Sequence, residues 1–366
     1  MIDHIEIQGY KSIKKLALEL RPINVLIGSN GAGKSNFISF FNLLRAIFGK
    51  QLQRFVLEEG KADSLLYFGR KTTEHLYGKL LFSEGNGHQS AYWFDLRASK
   101  QEGLFIDQEA SAQNIQKGDQ QKDYTITGPY EESHITKHQA FEHQYLSDIA
   151  IFHFHDTSST SYLRRGCDVE DNQYFKSDGR NLPAFLYRLK AEQPIIYKRI
   201  LKTIQSVAPY IYDFILTPSM TPGKQGEIEL RWVDKNDLNS NFSAYQLSDG
   251  TLRFIALATV LMQPIPPSVI VIDEPELGLH PMAITKLAGM IQAVSQTAQV
   301  IISTQSVNLV DCFEPDDIVT VDRDSHNSES IFQRLEEKEL DLWLQEHSLG
   351  DLWRRNIIHS AQPFTK

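Results

Sequence analysis

The chain has 366 residues, with 37 Lys and Arg against 46 Asp and Glu, and its formal net charge of −9 excludes a surface that is basic throughout while leaving a local basic groove open. A 41% hydrophobic and 10% aromatic composition is ordinary for a globular chain with a sizeable core, and no stretch reaches the roughly 18 uninterrupted apolar residues of a membrane span. Two cysteines, Cys167 and Cys312, lie far apart outside any CxxC spacing, and the start MIDHIEIQGY has neither the basic beginning nor the apolar block of a secretory signal; both point to a reducing cytoplasm without a disulfide framework.

In chain order, HIEIQGY and LALELRP read as two short strands joined by a lysine-rich turn, Lys11 to Lys15. The apolar strand INVLIG runs into a glycine-rich loop and then a helix beginning near Ser35. From Ser64 to Ile106 the pattern is strand-like, with YGKLLF and AYWFDLR; the polar stretch QEASAQNIQKGDQQKD is expected to be a long loop or mobile insertion. The strand IAIFHFHD precedes a helical section, NLPAFLYRLKAEQPIIYKRILKTIQSVAP, and two further strands, IYDFIL and EIELRWV. An apolar helix, LRFIALATVLMQ, is stopped by Pro264; VIVIDE is a buried strand stopped by Pro275; the tail holds ELDLWLQEH and SLGDLWRRN. There are no internal repeats. The sharp motifs cluster near both ends, which predicts one nucleotide-binding fold over 1–366: an N-terminal lobe 1–108, an insertion with a helical lobe 109–240, a C-terminal lobe 241–325 and a helical tail 326–366.

Gly28 to Ser35, GSNGAGKS, satisfies G-x-x-x-x-G-K-[ST] in full, a match that chance supplies in a chain of this length on the order of 1% of the time. Following a strand and opening a helix, it predicts a phosphate cradle in which Asn30, Gly31, Ala32, Gly33, Lys34, Ser35 and Asn36 line the site. Lys34 is expected to bridge the β- and γ-phosphates and Ser35 to hold Mg²⁺. Lys11 is a candidate to reach the γ-phosphate from the side. Two acids, Asp273 and Glu274, end an apolar strand, where burial is costly unless a cation or donors meet them. Asp273 is therefore the expected Mg²⁺ ligand and Glu274 the residue that orients and deprotonates water.

The set GSNGAGKS, LSDGT, VIVIDEPELGLHP and VIISTQS resembles the ABC/SMC class of ATPases. It is most similar to the stand-alone bacterial ATPases allied to RecF and to the OLD nucleases, and the likeness covers most of the chain. The resemblance implies an α/β head with a mixed sheet around the phosphate loop, an antiparallel β-subdomain and a helical lobe, with ATP and Mg²⁺ as cofactors. It implies a homodimer, or a higher even-numbered assembly, in which Ser248 and Gly250 of one head contact the γ-phosphate held by the other. Gly278 to Pro281 would be the loop that reports between sites, and Gln305 stands where many relatives have a switch histidine. The insertion lacks a long heptad run, so no coiled-coil arm is expected. The implied role is ATP-driven control of a separately encoded effector, a nuclease or similar, in DNA repair or anti-phage defence, with nucleic acid open as a partner and no membrane. A regulatory ATP-binding scaffold with little turnover, a RecF-like DNA-binding ATPase and a transporter subunit are the alternatives. Asp249 departs from the glycine usual in transporters and, beside a phosphate, must point away or meet a cation.

Other constellations are weaker. His153 and His155 alternate along IAIFHFHD with Asp156 next, more often polar residues on a half-exposed face than metal ligands. Asp322 and Asp324 resemble the DxD of TOPRIM nucleases, but no glutamate-bearing strand lies upstream, so a strand and charged turn are expected, without nuclease activity. Trp343 and Trp353, among leucines, are expected to dock onto the core, and Arg164 and Arg165 to be a solvated pair.

Overall fold

The computed structural model describes residues 1–83, 89–115, 123–135 and 145–358. Their strands, in chain order, are β1 Ile2–Tyr10, β2 Ile13–Glu19, β3 Ile23–Ile27, β4 His75–Ser83, β5 Gln89–Ala98, β6 Leu104–Ile115, β7 Asp123–Tyr130 and β8 Ile149–Phe152. There follow β9 Cys167–Asp168, β10 Ile211–Ile215, β11 Glu227–Ile228, β12 Arg231–Asp234, β13 Asp237–Ser243, β14 Val269–Asp273, β15 Gln299–Thr304, β16 Ile318–Arg323 and β17 Ser330–Arg334. Two compact units emerge: Met1–Ala150 with Pro267–Val271 and Ala298–Lys366, and Ile151–Pro266 with Ile272–Thr297.

In the first unit, β2-β1-β4-β5-β6-β7 form an antiparallel sheet, and β3 belongs to a mixed sheet ordered β17-β16-β3-β15-β14-β8. β3 runs parallel to both β15 and β16, while β17 returns antiparallel. Every residue of β3 is buried, as expected for a strand covered on both faces. The helix Lys34–Phe48 carries rings toward both sheets: Phe40 stacks on Phe94 of β5 at 6.1 Å and meets Tyr10 of β1 edge-on at 5.5 Å, while Phe37 lies 5.5 Å from Phe332 of β17. Gln299, at the start of β15, accepts from Ile2 N–H (3.2 Å) and donates to the carbonyls of Ile2 (2.8 Å) and Arg21 (3.1 Å), fastening β1 to the later half of the chain.

The second unit is mostly helical. Leu182–Glu192 and Pro194–Val207 are separate helices, broken where Pro194 begins the second. Helix Asp249–Met262 buries every residue from Leu252 to Leu261, matching its apolar sequence. A small sheet, β10-β12-β13, and the pair β11-β9 complete the unit.

Several expectations need correction. The first hairpin closes at Tyr10↔Ile13, so Lys14 and Lys15 are exposed residues of β2 itself and the turn is only Lys11 and Ser12. Residues 108–115 are strand, not loop: β6 pairs with β5 and β7. Its buried positions include Glu109 and Ser111, which carry no apolar signal; Glu109 is satisfied by the Tyr92 hydroxyl at 2.8 Å and Ser133 at 2.7 Å. Residues 116–122, the rest of the expected loop, lie outside the described residues. EIELRWV divides into β11 and β12. Trp343 does not dock: helix Glu337–Leu344 buries none of its residues, and Trp343 is 47% exposed. Its leucines recur every second residue, which spreads them around a helix rather than along one face. Trp353 is half-buried in helix Leu349–Arg354. Arg164 is buried, whereas Arg165 is exposed over the Tyr162 ring. Asp322 and Asp324 do form a strand end and turn, with Asp324 accepting from the N–H groups of His326 and Asn327.

Among the described residues no helix is long and apolar enough to cross a membrane. None exceeds the 15 residues of Lys34–Phe48, so no coiled-coil arm is present among them. Replacing Gln299 by Leu strands two carbonyls and one N–H that are buried beside it. At ~1–3 kcal/mol for an unmet buried group, urea unfolding should show a loss of about 2–4 kcal/mol, and a loss below 1 would mean that water or a shifted backbone replaces Gln299.

Candidate functional site

The phosphate-loop residues sit between β3 and helix Lys34–Phe48. Gly33 is the N-cap residue of that helix and lends it no side-chain cap, and its first turn holds no acid. The positive end of the helix and its N–H groups are therefore left for an anion. Asn30, Gly31 and Ser35 are exposed at the mouth, Ala32 and Gly33 are buried, and Asn36 is half-buried. The Lys34 ammonium, 6% exposed, curls back to donate to the carbonyls of Gly28 (2.7 Å) and Ser29 (3.1 Å). These features fit a polyphosphate: a glycine-rich loop, an uncapped helix end and a lysine poised over them.

The loop is braced from β17, which sequence reasoning missed. Ser330, 1% exposed, donates its hydroxyl to the Ala32 carbonyl at 2.6 Å and lies 2.6 Å from the Ser12 hydroxyl, which accepts from Asn36 Nδ2 at 2.6 Å. Gly33, at φ 121°, passes so close that a Cβ there would sit 2.1 Å from Ser330 Oγ. Arg323 reaches the Gly31 carbonyl from β16 at 3.4 Å.

Beside the loop opens a cleft of about 800 Å³ whose walls include Lys11, Ser12, Asn36, Tyr67, Phe68 and Arg323. Phe68 is 61% exposed with a left-handed backbone (φ 55°), and its ring meets Tyr67 edge-on at 4.6 Å. Asp63 and Arg70 pair at the rim, and hydrogen bonds from Arg70 hold the Asp63 carboxyl down to about 2. Lys11 faces this cleft with its ammonium held by Glu59 and Ser39, at 2.7 and 2.8 Å. An exposed phenylalanine at one turn in the chain carries no sequence signal of its own, which is why Phe68 was not foreseen. Gln305 is exposed just past the end of β15.

In the second unit, Asp273 closes β14 and Glu274 follows it in a left-handed conformation, φ 43°. That region costs a non-glycine residue ~1–2 kcal/mol, and such outliers cluster where function holds them. Ser248 is the N-cap of helix Asp249–Met262, accepting from Thr251 N–H at 3.2 Å. Asp249 meets the cation its position demanded: Arg164 donates to it at 2.7 Å and also to the carbonyls of Thr157, Ala244 and Leu247. Arg253, from the same helix, donates to the carbonyls of Phe154 (2.7 Å) and His155 (3.0 Å); burial lowers its pKa, against the pull of Asp249 and Glu276. Gly250 packs on the turn after Glu274: a Cβ there would lie 2.3 Å from the Gly278 carbonyl oxygen.

Residues 23–311, well over half of the chain, match the family described as "AAA domain, putative AbiEii toxin, Type IV TA system". The chain belongs to this family. Over 65 residues it is 38% identical to a Mycoplasma genitalium protein described as a "putative ABC transporter ATP-binding protein", a match spanning 18% of either chain. An SMC head bound to the C-terminal winged-helix domain of ScpA superposes over 92% of this chain and 99% of that one, with TM-score 0.61 and 16% identity. The Smc head with an extended coiled coil from Pyrococcus furiosus, bound to the C-terminal domain of ScpA, covers 94% of this chain and 98% of its own, with TM-score 0.56 and 13% identity. The fold is thus that of an SMC head, carried by a chain of the AAA family.

Gly33→Ala in this AAA-family chain forces a Cβ onto Ser330 and a strained φ. With ~1–3 kcal/mol of strain, fluorescent ATP should bind about tenfold to a hundredfold more weakly; unchanged affinity would show that the loop backbone does not make the site. Glu274→Gly relieves the left-handed strain, so its melting temperature should be at or above that of the unaltered protein. A drop of several degrees would show that the Glu274 side chain stabilises the fold.

Proposed function

We propose that the protein is a Mg²⁺-dependent ATPase, two copies of which close around ATP, and that this cycle controls a separately encoded effector in anti-phage defence or DNA repair. The observation that carries the reading is the uncapped helix end under GSNGAGKS, braced by Ser330 and overhung by Lys34. In this reading the loop N–H groups and Lys34 bind the β- and γ-phosphates, and the Phe68 ring stacks on the base in the cleft beside Lys11. Ser35 and Asp273 hold Mg²⁺, which neutralises phosphate charge when bound. Glu274 takes the proton of the attacking water, and Gln305 hydrogen-bonds that water or the γ-phosphate. Ser248 and Gly250 of the second copy bring a helix end to the same phosphate, giving positive potential where transition-state charge gathers.

The pairing of Asp249 with Arg164 supports this reading, because it removes the repulsion that a free carboxylate would bring to that phosphate. The family's description as a "putative AbiEii toxin, Type IV TA system" supports the defence setting. The SMC heads bound to ScpA domains support a protein partner.

Light scattering with and without ATP·Mg²⁺, run beside phosphate release, tests the proposal on the unaltered chain and on Glu274→Gln. The variant should double in mass with ATP and release no phosphate, since glutamine can orient water but not deprotonate it. Turnover that survives in Glu274→Gln removes Glu274 from the chemistry. Mass unchanged by ATP in both proteins, with no phosphate released, sinks the paired ATPase and leaves a nucleotide-binding scaffold.

A further inference from the structure

Past β8 the chain continues as His153-Phe154-His155, with Phe154 buried and both histidines exposed. The segment is not loosely held. Arg253 grips the carbonyls of Phe154 and His155 at 2.7 and 3.0 Å, fixing the backbone from which both imidazoles project. The histidine rings lie 6.3 Å apart, centroid to centroid. His155 Nε2 donates to the Asp273 backbone carbonyl at 3.1 Å; a carbonyl only accepts, so this contact places the proton on Nε2 and leaves a lone pair on Nδ1. One ligand atom from each of His153, His155 and Asp273 lies within 4.8 Å of the others. Asp156, next in the chain, is not part of this cluster; its carboxylate accepts from Ser158 N–H.

We propose that His153, His155 and Asp273 form a binding site for a divalent transition-metal ion of the zinc–cobalt class, and that its occupancy withdraws Asp273 from nucleotide-bound Mg²⁺. Two imidazoles and a carboxylate are the donor set of an open tetrahedral zinc site, with water completing the fourth position. Ligand bonds of about 2.0–2.2 Å require the three donor atoms to close by roughly 1 Å, and both imidazoles are exposed side chains. Imidazole nitrogen favours zinc and its neighbours over magnesium, which prefers oxygen and water. The hydrogen bond from His155 to a carbonyl is the kind of outer contact that orients a ligating histidine. The competition part of the proposal rests on Asp273 serving Mg²⁺ as in the function proposed above; the metal site itself does not. Arg253 belongs to helix Asp249–Met262, so the ion would also sit on the backbone that this helix holds.

Co²⁺ titrated into the nucleotide-free protein tests the site directly, because four-coordinate cobalt shows intense visible ligand-field bands. A single ion should bind per chain, be displaced by Zn²⁺, and bind at least about tenfold more weakly in His153→Ala. His153→Cys should keep the ion and add a thiolate charge-transfer band, which separates loss of a ligand from loss of the fold. Absent bands, or equal binding by His153→Ala, overturn the site. Zn²⁺ should inhibit Mg²⁺-ATP turnover, with the inhibitory concentration raised at least about tenfold by His153→Ala, whose zinc-free turnover stays that of the unaltered chain. Inhibition that His153→Ala does not move overturns the competition. No turnover in the zinc-free, unaltered protein overturns the ATPase reading instead, and the cobalt bands still decide the metal site.

Discussion

The first unit depends on a conflict around helix Lys34–Phe48. A helix that begins on glycine instead of a side-chain cap gives up only a few tenths of a kcal/mol, and this one begins on a glycine held at φ 121°. What offsets the loss is aromatic packing on both flanks: Tyr10 and Phe94 from the antiparallel sheet on one side, Phe332 from the mixed sheet on the other. Each such ring buries enough area to contribute several times the missing cap. The sheets hold the helix so firmly that its first turn can remain available to a ligand.

The same logic explains why residues far apart in the chain converge on one loop. β3 is flanked by β15 and β16, so strands from the later half of the sequence make the floor beneath the glycines. Ser330 and Gln299 are the side chains that register this floor, the first by bonding the Ala32 carbonyl and the second by bonding the backbone of Ile2 and Arg21. Neither belongs to a motif. Each is a buried polar group whose partners lie about 300 residues away in sequence, and long-range pairing of that kind leaves no local pattern.

That distinction marks how much was legible from sequence. The phosphate loop, the acid-ended strand β14 and the buried helix Asp249–Met262 could all be read, because glycine spacing, apolar periodicity and proline are local signals. The need of Asp249 for a cation could be reasoned out, but not that Arg164 would supply it; an arginine pair in a polar stretch looks solvated until the fold wraps carbonyls around one member. The later part of β6 was hidden because its buried positions from Glu109 to Ala112 carry alanine, serine and a glutamate instead of large apolar residues. Trp343 misled in the opposite direction, since leucines at every second position promise burial without giving a helix one apolar face. The cleft residue Phe68 and the strain at Glu274 are properties of backbone angle, which composition does not encode.

The contact between Gly250 and Gly278 has a mechanical consequence. With only 2.3 Å between the ideal Cβ position at Gly250 and the Gly278 oxygen, no side chain fits between the helix start and the turn after Glu274. Arg253 presses on the same turn, with its guanidinium 3.0 Å from where a Gly278 Cβ would be. Close packing of this kind couples the two segments, so a shift of the helix start at Ser248 presses on the turn that holds Gly278.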